Sequence, residues 1–227
     1  MREVFSPHPF GFGVQPFFWW DAGDIHERVL NGGDISDGLD KSGNGENAVQ
    51  ATGADQPLLD VAAQNGRDTW KGDGVSQHLD CSVVLPDEAS IFMCFDGDNS
   101  YADDYVLSGD GAGGTPAFIV GFTPVATKYN FEFFDGTTRG VFSQSATGFH
   151  VCAIAQDDTT VKGYFDGVEV FSIASTPFAG GSLVSLMSVD SIQFYEGSFC
   201  EGFGLPKKCQ GWEMQQLSQY LMNRWGV

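Results

Sequence analysis

The residues best suited to chemistry crowd into one acidic stretch, Asp96-Gly97-Asp98-Asn99-Ser100-Tyr101-Ala102-Asp103-Asp104. Asp96, Asp98, Asn99, Asp103 and Asp104 supply the hard oxygen atoms that Ca²⁺ prefers, and they are candidate calcium ligands. The stretch lacks the mid-loop glycine and terminal glutamate of an EF-hand, and Asp/Asn-rich turns also occur as plain solvated loops. A second group is aromatic. Trp70, Tyr101 and Tyr105 stand near polar loops, where a ring can stack on a pyranose face while Asp and Asn side chains bond its hydroxyls. Such rings equally close the edge of a core.

Catalytic patterns are missing. Retaining glycosidases need two carboxyl groups about 5 Å apart, which residues two or four apart on one strand face can supply. Asp166 with Glu169, and Glu132 with Asp135, have odd spacing and fall on opposite faces. The histidines are His8, His26, His78 and His150, and none belongs to an H-E-x-x-H motif. No G-x-S-x-G elbow or Lys-containing phosphate loop occurs either. The reading is therefore a protein without catalytic residues and with no cofactor beyond calcium. The five cysteines, Cys81, Cys94, Cys152, Cys200 and Cys209, form no C-x-x-C pair and have no histidine at zinc-ligand spacing. Cys94 and Cys152 sit in apolar runs and read as core. Cys200 and Cys209 can pair across their loop or, in a reducing compartment, stay as thiols.

Thirty acidic against eleven basic residues give a formal charge of −19, which repels phosphate backbones and anionic lipid. Nucleic-acid and membrane partners are not expected. No stretch approaches the ~20 apolar residues of a membrane span. Met1-Arg2-Glu3-Val4 lacks the basic head, apolar middle and small-residue cleavage site of a secretory signal, so export by that route is not expected.

These residues need a scaffold, and the remaining pattern names it. Residues 1–16, with Pro7, Pro9, Pro16, Gly11 and Gly13, cannot form a regular helix or central strand and read as an extended arm. Its Phe5, Phe10 and Phe12 need burial and are candidates for an assembly interface, on this domain or another subunit. From Phe17-Phe18-Trp19-Trp20 onward, short apolar runs alternate with turn residues: Ser90 to Phe95, Tyr105 to Leu107, Ala117 to Phe122, Tyr129 to Phe134, Gly140 to Phe142, Phe149 to Ala155, Val161 to Phe165, Val168 to Ile173, Leu183 to Leu186 and Ser191 to Tyr195. Roughly a dozen strands at this spacing mean a sandwich or barrel, and the alternation suits antiparallel strands with one wet face. Asp166-Gly167 marks a type I′ hairpin. Only the end reads as a helix, with Met214, Leu217, Leu221 and Trp225 on one stripe and Gly226 as its cap. The expected fold is all-β: an antiparallel jelly-roll β-sandwich over residues 17–227, preceded by the extended arm and closed by one C-terminal α-helix.

Three elements resemble the concanavalin A-like lectin/glucanase superfamily, in the laminin-G-like branch found in bacteriophage structural proteins. They are Trp19-Trp20-Asp21-Ala22-Gly23-Asp24 with Asp40-Lys41-Ser42-Gly43-Asn44-Gly45, then Phe149-His150-Val151-Cys152-Ala153 leading to Gly163-Tyr164-Phe165-Asp166-Gly167, and finally the stretch from Gln216 to Val227. Hydrolases of this superfamily carry Glu-x-Asp-x-x-Glu or a similar strand, and no such strand occurs here. The resemblance implies a non-enzymatic structural or surface module of a virus particle, such as a capsid decoration, head fibre or tail-associated protein. Its expected location is the virion surface, and its expected partners are further copies of itself, other capsid or tail proteins, and host glycans. The alternatives are a soluble lectin or adhesin that binds cell-surface carbohydrate, and a glycoside hydrolase.

Overall fold

The computed structural model describes residues 13–97, 104–110, 116–125, 128–134, 139–144, 148–157, 159–174, 182–189 and 193–227. The chain runs through β1 (Phe18–Asp21), β2 (Arg28–Asn31), β3 (Asp34–Gly38), β4 (Ala48–Val49), a 3₁₀ turn at Gly53–Asp55, β5 (Leu58–Gln64), β6 (Arg67–Asp73) and β7 (Leu79–Val84). It continues through β8 (Ala89–Gly97), β9 (Asp104–Asp110), β10 (Pro116–Val125), β11 (Lys128–Phe134), β12 (Arg139–Gln144) and β13 (Gly148–Gln156). The last elements are β14 (Thr160–Phe165), β15 (Val168–Ala174), β16 (Ser182–Leu186), β17 (Ser188–Val189), β18 (Gln193–Phe194), β19 (Glu196–Leu205) and the helix α1 (Gly211–Trp225). The apolar runs read from the sequence each overlap one of these strands. The strands β2 to β7, interrupted by Asp34, Asp37, Asp60, Asp68, Asp73 and Asp80, and the strand β19 were not read from the sequence.

Among the described residues every strand pairing is antiparallel. One layer has the order β1-β19-β8-β13-β14-β15. The other runs β6-β5-β3-β4-β7-β16-β9-β10-β11-β12, with β2 on the free side of β3. The start of β19 also pairs with β6, across a register shift between Phe199 and Glu201, so one hydrogen-bonded sheet curls from the first layer into the second.

Strand alternation sorts the apolar side chains of the first layer into two cores. Phe18 and Trp20 of β1, Ile91, Met93 and Phe95 of β8, and Cys152 and Ile154 of β13 point between the layers. Trp19, Phe92, Cys94, Val151, Ala153, Phe203 and Leu205 point the other way, where Met214, Leu217, Leu221 and Trp225 of α1 cover them. The helix therefore covers the side of β1, β19, β8 and β13 that an uncovered sheet would leave to water, while β15 at the edge of the layer stays largely exposed. The helix ends as expected: Gly226 adopts φ 71° and its N–H donates to the Met222 carbonyl. Gln64 and Asn65 side chains donate to the carbonyls of Trp225 and Arg224, which closes the last turn. The Asp166-Gly167 hairpin has both residues at positive φ, as a type I′ turn requires.

Candidate functional site

The groove with open hydrogen-bonding capacity lies on the second layer, where β3 has diverging neighbours. Asp37 and Gly38 of β3 pair with β4, whereas Asp34 pairs with β5. Between the two partners the chain passes through residues 50–57, and the wedge it leaves is a groove of about 420 Å³ lined by Asn31, Ser36, Asp37, Val49, Gln50, Ala51 and Gln56. A β-bulge aims the residues of β3. Val29 of β2 opposes Asp37 while the next residue, Leu30, opposes Ile35, so Ser36 is the extra residue. Bulges of this kind redirect a side chain that regular alternation would place elsewhere. Ile35 is thereby buried in the core while Asp37 joins a lateral row, Val29–Asp37–Val49–Asp80, across β2, β3, β4 and β7.

The polar walls of the groove are fixed before any ligand arrives. Gln50 Oε1 accepts the Thr52 N–H at 3.0 Å, which turns its Nε2 toward His78 Nε2 at 3.1 Å. His78 Nδ1 lies 2.7 Å from the Ser76 carbonyl and must donate to it, so Nε2 is the acceptor and the Gln50 amide the donor. Gln56 Nε2 donates to the Gln50 carbonyl at 2.6 Å and its Oε1 accepts from Asn31 Nδ2 at 3.1 Å. Ser36 Oγ donates to Asp37 Oδ2 at 2.7 Å. Among the described residues these bonds leave Asp37 Oδ1 and Asn31 Oδ1 open to the groove, beside the exposed methyl groups of Val49. Acceptors held in place next to a small apolar surface are what a polyhydroxylated ring requires, and holding them in advance lowers the entropy cost of binding.

Two other places are less suited to a ligand. A depression of about 460 Å³ lies among Phe142, Phe165, Asp166, Val168, Glu169 and Val170. Asp166 accepts from His150 Nδ1 and the Val151 N–H, one on each oxygen, and Glu169 Oε2 accepts from Lys162 and Tyr164. The second place is beneath α1, where Asp21 of β1 and Glu201 of β19 are opposed cross-strand neighbours, both fully buried. Glu201 accepts from Trp19 Nε1 and Trp225 Nε1, each at 2.9 Å, and from Tyr220 Oη at 3.2 Å, and it forms an ion pair with Arg224, whose Nε lies 2.8 Å from Oε2. Asp21 Oδ2 is met by Arg224 Nη2 at 2.6 Å and Lys41 Nζ at 2.9 Å. Burial and the neighbouring Asp21 push the Glu201 carboxyl up to about 7, against the pull of Arg224 and the indole N–H groups. This pair of carboxylates ties the end of α1 to the sheet and has no opening for substrate.

Of the residues singled out in the sequence, the described Trp70 and Asp96 are not among those lining the groove. Trp70 is not available to a sugar: it is 0% exposed, packs on Phe199 with ring centroids 5.5 Å apart, and lies under Gly38, where a Cβ would come within 2.3 Å of its ring. Thr69 beside it is buried as well, and Lys71 is the neighbour that faces out. Asp98, Asn99, Tyr101 and Asp103 lie outside the described residues, as do Phe5, Phe10 and Phe12 and the side chains of Asp104 and Tyr105. Asp96 lies on β8, where its carbonyl accepts from Tyr195 Oη. Among the described residues no group of three or more His, Cys, Asp or Glu is placed to hold a metal. Cys200 and Cys209 are both free, as are the other three cysteines. The groove residues Asn31, Ser36, Asp37, Gln50 and Gln56 had no signal in the sequence beyond their polarity.

No protein-family model matches the sequence, and no curated protein matches it. The architecture recurs in proteins of very different sequence. Domain 4 of an extracellular GH43 arabinanase from Geobacillus stearothermophilus, in complex with arabinotriose, superimposes with a TM-score of 0.65 at 12% identity, covering 91% of this chain and 99% of that one. The Trypanosoma rangeli sialidase in complex with the inhibitor DANA gives 0.61 at 11% identity over 88% of this chain and 32% of the sialidase. Botulinum neurotoxin type C, whose cell entry depends on two ganglioside molecules, gives 0.58 at 9% identity over 91% and 51%. The chain thus spans about a third of the sialidase and about half of the neurotoxin chain. At these identities the shared feature is the fold.

Proposed function

We propose that the chain is a carbohydrate-binding β-sandwich that holds a glycan in the groove at the fork of β3. The observation that carries this reading is the set of polar side chains locked by internal hydrogen bonds around a wedge of about 420 Å³, with Asp37 Oδ1 and Asn31 Oδ1 open beside Val49. Support comes also from the similar folds, one solved with arabinotriose and another tied to ganglioside interaction, and from the resemblance to the concanavalin A-like superfamily. Calorimetric titration with neutral oligosaccharides, arabinotriose among them, tests it. Binding is expected in the wild type and should weaken about tenfold to a hundredfold in Asp37→Ala, because a hydrogen bond to a charged group contributes about 1.5–3 kcal/mol. Wild-type affinity that Asp37→Ala leaves unchanged would remove the groove from the account.

A second reading, glycoside hydrolysis, is favoured by the glycosidases among the similar folds and by Asp37 and Asp80, which flank Val49. Those strands lie two spacings apart, about 9.6 Å, near the carboxyl separation of inverting enzymes. The Asp80 side chain is 59% exposed, however, and the groove is open rather than closed over a reacting bond. Release of reducing sugar that Asp37→Asn abolishes would favour hydrolysis over binding alone.

A further inference from the structure

The charge around the groove defines which sugars it can take. The four strands that build the row, β2, β3, β4 and β7, carry a single basic residue, Arg28. Its guanidinium is committed: Nη2 lies 2.6 Å from Asp68 and Nη1 donates to the Ala22 carbonyl. On the same strands stand Asp34, Asp37 and Asp80, and Asp55 lies in the 3₁₀ turn beside the groove. Lys41, the next cation along the chain, is held between Asp21 and Asp24 at 2.9 Å from each. Lys71 of β6 opposes Leu58, which in turn opposes Asp34, so it belongs to the far arm of the fork and not to the row containing Asp37 and Asp80. Asp37 and Asp80 stand on either side of Val49 as its cross-strand partners. A carboxylate, sulfate or phosphate on a bound sugar would therefore meet like charge from two directions, and the nearest ring able to carry a positive charge, His78, already faces Asp80, with Nε2 3.4 Å from Oδ1.

We propose that the groove accepts uncharged oligosaccharides laid across β2, β3, β4 and β7 and rejects sugars that carry acidic groups. This rests on the glycan-binding reading of the same groove. The row crosses three strand spacings, about 14 Å, which gives the ligand more than one ring's length of contact and brings a second ring over Val49 toward Asp80. Asp37 and Asp80 then act in two ways: they accept hydroxyl hydrogens from a neutral chain, and they exclude an anionic one. The Ser36 bulge sets this specificity by turning Asp37 outward into the row.

The test compares arabinotriose and galactotriose with trigalacturonate, by calorimetry at low salt and again near 1 M salt, on the wild type and on Asp80→Asn, Asp37→Asn and the double variant. The proposal expects the neutral sugars to bind at least tenfold more tightly than trigalacturonate at low salt. It expects that gap to narrow near 1 M salt, where the screening length falls to about 3 Å, and to narrow also in the double variant. Lys71→Gln should leave the neutral sugars unaffected. Binding of trigalacturonate as tight as that of the neutral trisaccharides overturns the proposal while leaving glycan binding in place. A gap insensitive to both salt and the double substitution also overturns it, because the selection then is not electrostatic. Failure of all three sugars, and of a wider glycan panel, sinks the glycan-binding reading itself and this proposal with it.

Discussion

Replacing Glu201 by Gln should change how stability depends on pH. Glu201 and Asp21 face each other across β1 and β19 with no solvent exposure, and Arg224 bridges them at 2.8 and 2.6 Å. The folded protein pushes the Glu201 carboxyl from 4.5 up to about 7. A raised carboxyl contributes stability that is fully present below its unfolded value and lost as pH rises through its folded value. At about 1.4 kcal/mol per pH unit, the loss between pH 4.5 and 8 approaches about 3 kcal/mol. Gln cannot ionise and removes this slope. It also introduces a fault of its own, because one carboxylate oxygen accepts from Trp19 and Tyr220 and the other accepts from Trp225 and pairs with the Arg224 charge. Whichever way the amide turns, its NH₂ group meets an indole N–H, at a cost of roughly 1–3 kcal/mol. Urea unfolding followed by tryptophan fluorescence at constant ionic strength should therefore find Glu201→Gln less stable than the wild type at pH 5, with the gap closing by pH 8. A gap constant across that range would refute the argument.

On the acid side, Lys208 beside Asp157 and Lys162 beside Glu169 hold those carboxyls low, so their contribution is present above about pH 4 and disappears below it. Together with Glu201 this places the maximum of a Tm-against-pH profile near pH 5, and Lys208→Met should flatten the acid limb. Gly38→Ala drives a methyl group into the Trp70 ring and should cost about 1–3 kcal/mol in urea unfolding, whereas Trp70→Ala should cost about 3–5 kcal/mol by leaving a core cavity. Burial pushes the thiols of Cys152 and Cys200 well up, so Ellman's reagent should modify them only after denaturant is added; rapid labelling of the native protein would contradict their placement in the core.

Most of the later strands were legible because each is an apolar run long enough to show its period; β19, broken by Gly197, Gly202 and Gly204, was not. The helix was legible because Met214, Leu217, Leu221 and Trp225 recur at helical steps and bury together. The strands that form the groove were not. Arg28–Asn31, Asp34–Gly38 and Ala48–Val49 are too short to show a period, and what makes the site is the divergence of β4 and β5 from β3 together with an extra residue at Ser36, relations between distant segments that no local pattern encodes. Trp70 misled for a related reason: its polar neighbours in Arg67–Asp73 advertise exposure, but strand alternation turns the ring inward and Gly38 leaves room for it. The motifs that suggested a family do converge in space. Trp19, Asp21 and Lys41 from the first meet Arg224 and Trp225 from the last around Glu201, and Asp166 of the middle one caps Val151 and holds His150. They are structural fastenings, which explains why they spoke to fold and not to a ligand. The glutamate at their centre was overlooked because no strand was read between Tyr195 and the helix, where Glu196–Leu205 forms β19.

The central claim is the location of the ligand, and an amide ¹H–¹⁵N titration of the wild-type protein with arabinotriose tests it most directly. The account predicts that the shifted resonances cluster at Asn31, Ser36, Asp37, Val49, Gln50, Ala51 and Gln56, with a weaker extension to Asp80. Shifts centred instead on Phe142, Val168 and Val170, or a spectrum that no neutral glycan perturbs, would contradict it.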